Sequence, residues 1–172
     1  MTEIIQFNSS LVPEGKYPWM AFIAGLGGVS LGGCGASFIT NQHALTSKGC
    51  LRMRFKIRFG SNDKKKFRSA TVSNVTIHPK LDIAILTLSE PIKVHTICLP
   101  GLSVKYNSGF GVAAGWGSLG WERSELLRET TLEIAKYCKK EEKICGYGSP
   151  QLLSGGYRDD GGSFMAKETG GR

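Results

Sequence analysis

The chain has 172 residues, 41% of them hydrophobic, which is enough for one sizeable core or two small ones and excludes a disordered chain. Its net charge of +8 would attract polyanions, acidic proteins or anionic membrane surfaces. No apolar run reaches the roughly 18 residues that a membrane span needs, and Met1–Ser10 has neither the basic start nor the apolar core of a signal peptide. We therefore expect a soluble chain that lacks its secretion signal.

Short runs rich in Val, Ile, Phe and Thr alternate with many of the 23 glycines and 6 prolines, a pattern that predicts an all-β domain. Residues 122–136 have some helix propensity, but Thr130, Thr131 and Ile134 support a strand nearly as well. If there are two lobes, the polar stretch 100–108 is the natural joint. Residues 19–24 are a short apolar stretch, and strands are otherwise predicted at 34–40, 44–46, 51–59, 70–77, 82–88 and 112–116.

Residues 51–59 alternate between apolar and basic side chains, which predicts a half-buried strand with a basic outer face. The basic residues continue into the following turn, so a patch that binds heparin-like glycans or acidic protein tails is one interpretation, and an ordinary solvated face is the other. We do not expect nucleic-acid binding, because aromatic side chains are not interleaved on the exposed face. Between residues 48 and 68 the only acid is Asp63, and the basic residues are Lys48, Arg52, Arg54, Lys56, Arg58, Lys64, Lys65, Lys66 and Arg68.

The chain contains five cysteines, so at least one of them has no partner within it. There is no Cys-x-x-Cys pair, and the three histidines are isolated, so we expect neither a metal site nor a cofactor. Sequons for N-glycosylation begin at Asn8 and Asn74. Together these features indicate a secreted, disulfide-bonded protein. The cysteines are Cys34, Cys50, Cys98, Cys138 and Cys145.

Seven short segments follow one another between residues 17 and 162: Tyr17-Pro18-Trp19-Met20, Cys34-Gly35-Ala36-Ser37-Phe38-Ile39, Ala44-Leu45-Thr46-Ser47-Lys48-Gly49-Cys50, Asp82-Ile83-Ala84-Ile85-Leu86-Thr87-Leu88, Ile97-Cys98-Leu99-Pro100, Gly115-Trp116-Gly117 and Asp159-Asp160-Gly161-Gly162. In type and order they resemble segments of the trypsin-like serine protease family. The resemblance implies a single domain over 1–172 with the two-barrel fold of that family, an N-terminal barrel in 1–100 and a C-terminal barrel in 101–172.

The catalytic positions of this family can be checked one by one. Its base is the histidine before the cysteine of Ala-Ala-His-Cys, where this chain has Gly49, and its nucleophile is the serine of Gly-Asp-Ser-Gly-Gly-Pro, where this chain has Asp160. Asp82 matches the triad aspartate, and Arg158 stands at the glycine of the oxyanion hole. None of the three histidines matches the base. The resemblance therefore implies a family member without an intact catalytic triad.

Activation in this family frees an isoleucine amino terminus, which then pairs with the aspartate before the serine. Asp159 matches that aspartate, and Ile4-Ile5 loosely matches the terminus. Glu3 precedes the two isoleucines, so no basic cleavage site is visible there. We therefore do not expect activation by this route.

The resemblance also implies two disulfides, Cys34–Cys50 and Cys138–Cys145. It leaves Cys98 unpaired, at a position that ties many relatives to an upstream pro-segment. Only ten residues follow Gly162, where the family continues through further strands and a closing helix. We therefore expect an incomplete C-terminal barrel with unpaired strand edges.

A trypsin-like chain without its base and nucleophile is expected to act by binding. The resemblance implies a secreted cofactor, decoy or regulator in an extracellular proteolytic or immune cascade, with a protease, inhibitor or substrate as its protein partner. One alternative is a polyanion-binding module built on the basic segment. The other is a residual serine-type endopeptidase that uses an unrecognised nucleophile, which is also what family membership alone would indicate.

Overall fold

The computed structural model of the chain describes residues 9–25, 33–51, 55–101, 109–119, 122–134, 146–147 and 162–166. Regular structure in these ranges consists of β-strands and two short 3-10 helices, Lys48–Leu51 and Lys64–Lys66, without an α-helix. The strands are β1 Ser10–Leu11, β2 Met20–Gly25, β3 Cys34–Phe38, β4 His43–Thr46, β5 Phe55–Phe59, β6 Arg68–Ala70, β7 Val72–Ile77, β8 Ala84–Leu88, β9 Phe110–Gly115, β10 Ser118–Leu119, β11 Glu122–Arg123, β12 Arg128–Ile134, β13 Gly146–Tyr147 and β14 Phe164–Ala166.

Seven strands form an antiparallel sheet in the order β6-β5-β2-β3-β4-β8-β7. Its two outermost strands, β6 and β7, are separated in the chain by Thr71 alone. Because consecutive Cα atoms are about 3.8 Å apart, the two edges of the sheet meet at this residue and the sheet curls into a barrel. Its interior is the core cluster Ala21, Ile23, Ala36, Phe38, Ala44, Ile57, Phe59, Leu86 and Leu88.

A second sheet has the order β1-β12-β9-β14, with β13 also paired to β12, and β10 and β11 form a separate hairpin. The N-terminal segment crosses to this sheet, because Ser10 and Leu11 pair with β12. At Gly111, a side chain would collide with the ring of Phe164, since a Cβ there would lie 2.2 Å from Cζ of that ring. Glycine therefore lets β14 dock against β9.

Strand β2 belongs to both cores, because its side chains alternate between its two faces. Ala21 and Ile23 point into the barrel, whereas Met20 and Phe22 point outward and pack with Trp116 of the second sheet. The second core also contains Val12, Ala114 and Leu127. The outer face of this part of the barrel is therefore an interface.

Asn62 is the polar centre of that interface and is only 8% exposed. Its side-chain amide donates to the carbonyls of Val12 and Pro13, at 2.8 Å each. Its own carbonyl accepts from Trp116 Nε1 at 2.8 Å and from the amide of Leu127 at 2.9 Å. One residue of the turn after β5 thus joins the N-terminal segment, the barrel and the second sheet.

The sequence-based strand predictions are largely confirmed, with three corrections. Residue 51 belongs to a 3-10 helix, so the described strand of the basic segment is 55–59. The single strand predicted at 70–77 is two strands divided at Thr71. A helix within 122–136 is wrong, because 128–134 pairs along its whole length as a strand.

Glu129 of β12 binds the N-terminal segment through two side chains. Lys16 Nζ lies 2.7 Å from each carboxylate oxygen, and the hydroxyl of Tyr17 donates to Oε2. Burial acts to raise the pKa of Glu129, but the hydrogen bonds from Lys16 and Tyr17 outweigh it and hold that pKa below its ordinary value of 4.5. Burial also raises the pKa of Tyr17, and the hydrogen bond to Glu129 raises the pKa of Lys16.

We predict that Asn62→Ala lowers the free energy of unfolding by about 2–4 kcal/mol, because it removes two side-chain hydrogen bonds and leaves the carbonyl of buried Val12 without its donor. Urea unfolding measured by tryptophan fluorescence tests this. Asn41→Ala, at an exposed asparagine in the turn between β3 and β4, is the matched control and should change stability by less than about 0.5 kcal/mol. Equal effects of the two substitutions would contradict the role given to Asn62.

We also predict that the difference in stability between the native chain and Glu129→Gln is larger at pH 7 than at pH 3. A folded-state pKa below the ordinary value means that ionised Glu129 stabilises the fold fully above pH 4.5, and that this contribution is lost as the pH falls through the folded pKa. Urea midpoints of both chains at several pH values measure the difference. A difference that does not change with pH would exclude a contribution from the charge of Glu129.

Candidate functional site

Gly49 and Asp82 lie side by side because of the pairing between β4 and β8. Thr46, the last residue of β4, is directly opposite Ala84, the first residue of β8. The 3-10 helix after β4 and the residue two positions before β8 therefore leave the sheet at the same point. This is the place at which the sequence predicts two of the three triad-equivalent positions.

The carboxylate of Asp82 accepts hydrogen bonds from the turn that carries Gly49. The amide of Gly49 donates to Oδ1 at 3.0 Å, and the hydroxyl of Ser47 donates to Oδ2 at 2.8 Å. The same hydroxyl accepts from the amide of Gly49 at 3.1 Å. Both carboxylate oxygens are thus used to order the turn at residues 47–49.

A disulfide between Cys34 and Cys50 holds this turn against the end of β3, with their Cα atoms 5.9 Å apart. The adjacent Gly49 is therefore tied on one side to β3 by a covalent bond and on the other to Asp82 by a hydrogen bond. Cys98, which the resemblance leaves unpaired, is a free and exposed thiol. Cys138 and Cys145 lie outside the described residues.

The backbone at residue 49 does not require glycine. Its φ is not in the left-handed region, and a Cβ would meet Ser47 Oγ at 3.4 Å and Asp82 Oδ1 at 4.0 Å, which are ordinary van der Waals distances. The site therefore has room for a side chain that begins beside the carboxylate of Asp82. The difference from a histidine at this position is one of chemistry and not of backbone shape.

The three histidines lie elsewhere. His43 begins β4, and its Nδ1 lies 2.8 Å from Thr40 Oγ1. His78 Nδ1 accepts hydrogen bonds from the backbone amides of Lys80 and Leu81, and these bonds order a turn. His95 is exposed and lines a cleft described below. In the ranges that the structure describes, no group of three His, Cys, Asp or Glu residues could hold a metal ion.

The predicted nucleophile segment, with Arg158, Asp159 and Asp160, lies outside the described residues, so those assignments stay predictions. The chain is described again from Gly162. The hydroxyls of Ser163 and Ser37 form a buried hydrogen bond between the end of this segment and β3. This contact is not predictable from the sequence, because two serines so far apart in the chain form no spacing pattern.

The basic segment divides into internal and exposed residues. Arg58 packs over the ring of Phe67 at 5.3 Å and donates to the carbonyl of Lys64. Lys64 donates from Nζ to the carbonyls of Ser124 at 2.8 Å and Trp116 at 3.4 Å, so it reaches across to the second sheet. These two cations stabilise the interface. Arg52 and Arg54 lie outside the described residues, and the exposed members are Lys48, Lys56, Lys65, Lys66 and Arg68.

The sequence model of the family described as Trypsin matches residues 7–169. Mouse transmembrane protease serine 11C is 26% identical over 189 residues, which covers 92% of this chain and 43% of that protein. Mouse cathepsin G is 25% identical over 174 residues, which covers 86% of this chain and 66% of that protein. The solved structure of human heparin binding protein superposes with a TM-score of 0.80 at 18% identity and covers 93% of this chain and 80% of that one.

These similarities agree with the geometry. The structural likeness shows the fold, a trypsin-like all-β architecture. The chain spans less than half the length of transmembrane protease serine 11C, and none of the helices described here is long and apolar enough to cross a membrane. Because the family match extends over nearly the whole sequence, the chain belongs to the trypsin family.

Proposed function

We propose that this chain is a catalytically inactive member of the trypsin family that acts by binding a protein partner. One observation carries the proposal: the residue at the position of the base is Gly49, and the carboxylate of Asp82 accepts from the Gly49 amide and the Ser47 hydroxyl. In the catalytic triad, the aspartate orients and stabilises an imidazole. At Gly49 there is no imidazole to orient.

The remaining catalytic positions support the same proposal. Asp160, at the position of the nucleophile, carries a carboxylate, and acyl transfer through a carboxylate would still need a base and an oxyanion hole. Arg158 stands at the glycine of that hole, where a side chain makes the required backbone conformation costly. The base takes the proton of the nucleophile in the same attack step, so restoring either one alone would not restore the triad.

We place the function outside the cell, as a cofactor, decoy or regulator that binds a protease, an inhibitor or a substrate of a proteolytic or immune cascade. The disulfide Cys34–Cys50 supports an oxidising compartment. The sequon residue Asn74 is exposed on the edge strand β7, where a glycan would meet no steric obstacle from the sheet.

We predict that the purified chain gives no turnover on a broad panel of peptide substrates and no labelling by an active-site serine probe. The double variant Gly49→His, Asp160→Ser tests whether only side chains are missing. Because the backbone at Gly49 accepts a Cβ without a clash, we expect Gly49→His alone to change the free energy of unfolding by less than about 1 kcal/mol. Turnover assays of the native chain and the double variant, and urea unfolding of the native chain and Gly49→His, check the two expectations.

Asp160→Asn is the control for contamination, since it keeps the shape of the side chain and removes its charge. Native turnover that scales with protein and disappears in this variant would overturn the proposal, because it would identify Asp160 as a working nucleophile. Turnover that is the same in both chains and stays with the chain through a second purification step would also overturn the proposal, because it would show another nucleophile at work. Turnover that separates from the chain in that step would come from a contaminating protease.

A second candidate function is the binding of heparin-like glycans. It is favoured by the exposed cations Lys56, Lys65, Lys66 and Arg68 and by the net charge of +8. The name of human heparin binding protein agrees with it, although that likeness shows only a shared fold. This function would add to protein binding and does not replace it.

A further inference from the structure

A cleft of about 180 Å³ lies on the barrel where three parts of the chain meet. Its floor includes Phe59, which is 3% exposed, and one wall is formed by Tyr17. Arg68, Lys93 and His95 bring nitrogen donors to it, and all three side chains are exposed. The cleft therefore combines an aromatic lining with a group of donors that carry positive charge or can acquire it.

The guanidinium of Arg68 is held in place by its surroundings. It stacks over the ring of Phe59 at 5.0 Å, and the two residues are directly opposite each other in β6 and β5. Gly60 lies beneath it with a φ of 92°, and a Cβ at Gly60 would come within 3.0 Å of Arg68 Nε. Stacking fixes the plane of the guanidinium and leaves its edge N–H groups available for a planar or tetrahedral anion.

The acid that lines the cleft is already engaged. Both carboxylate oxygens of Glu14 accept from the backbone amide of Asn62, at 3.1 and 3.3 Å. Among the described residues, no salt bridge joins Glu14 to Arg68, Lys93 or His95. The carboxylate of Glu14 adds a negative charge to the lining, but it forms no salt bridge with these donors, which remain exposed to solvent.

We propose that this cleft binds one anionic sugar unit of a sulfated glycan, with Arg68 and Lys93 on its sulfate or carboxylate groups and Tyr17 against the apolar face of the ring. The proposal rests on the second candidate function and gives it a site. The volume is enough for a single sugar unit, and Lys93 and His95 were not part of the basic segment identified from the sequence.

The surroundings extend the positive charge beyond the cleft, as the binding of a linear sulfated glycan requires. Lys65 and Lys66 are exposed and precede Arg68 by three and two residues, so their Cα atoms lie within about 11 Å of the Cα of Arg68. A linear polyanion can reach this row and the cleft at once. Arginine also binds the oxygens of a sulfate in two places, which matches its fixed fork of donors.

The test measures binding of a heparin hexasaccharide by calorimetry at several salt concentrations. Lys93→Gln should weaken binding by about fivefold or more, and Lys80→Gln, which removes the same charge at an exposed lysine outside the cleft, should change it by less than about twofold. Arg68→Lys keeps the net charge but loses the fork, and it should also weaken binding by about fivefold.

Each other outcome overturns a defined part of the inference. Equal losses of affinity for Lys93→Gln and Lys80→Gln would mean that general electrostatic attraction binds the glycan. The cleft would then not be its site, although glycan binding would remain a function of the chain. If the native chain does not bind the hexasaccharide, both the second candidate function and the proposed binding site are wrong. Equally tight binding of hexaglutamate, with the same response to the substitutions, would overturn the assignment to a glycan.

Discussion

The buried amide of Asn62 is the interaction on which the arrangement of the two sheets depends. A buried polar group costs several kcal/mol unless it is hydrogen-bonded, and here the amide, the backbone N–H and the carbonyl of one residue all have partners. Those partners come from the N-terminal segment and from the second sheet. A change in the relative position of the sheets would break several of these bonds at once, so the hydrogen bonds of Asn62 fix the geometry that apolar packing alone would leave adjustable.

This constraint also determines which basic residues are available for binding. The turn that contains Asn62 continues into Asp63 and Lys64. The side chain of Lys64 therefore extends towards the second sheet, where its Nζ donates hydrogen bonds to two carbonyls. Lys65 and Lys66 lie on the next positions of the same 3-10 helix and remain exposed. Neighbouring lysines of one charged run therefore have different roles, one structural and two available to a partner.

The sequence predicts the local structure well where one periodicity dominates. In β5, Ile57 and Phe59 are buried and Lys56 is exposed, as the alternation indicates, because a strand with one core face has a single favourable orientation. The same pattern could not show that Arg58 packs over the ring of Phe67, because this contact depends on how the segment between β5 and β6 folds back over the strand. Residues 128–134 have both helix and strand propensity. They form a strand because they pair with β9, a contact that lies outside the local sequence.

If Gly49 and Asp82 hold the catalytic positions that we propose, fold and chemistry separate in this chain. Asp82 orders the turn at Gly49 through hydrogen bonds to a backbone amide and to Ser47, and neither bond needs an imidazole. The disulfide and the pairing of Thr46 with Ala84 hold the same turn independently of any catalytic side chain. The loss of a histidine here would therefore remove a reaction without removing a structural contact, so the framework of a protease can be kept while its surface is used for binding.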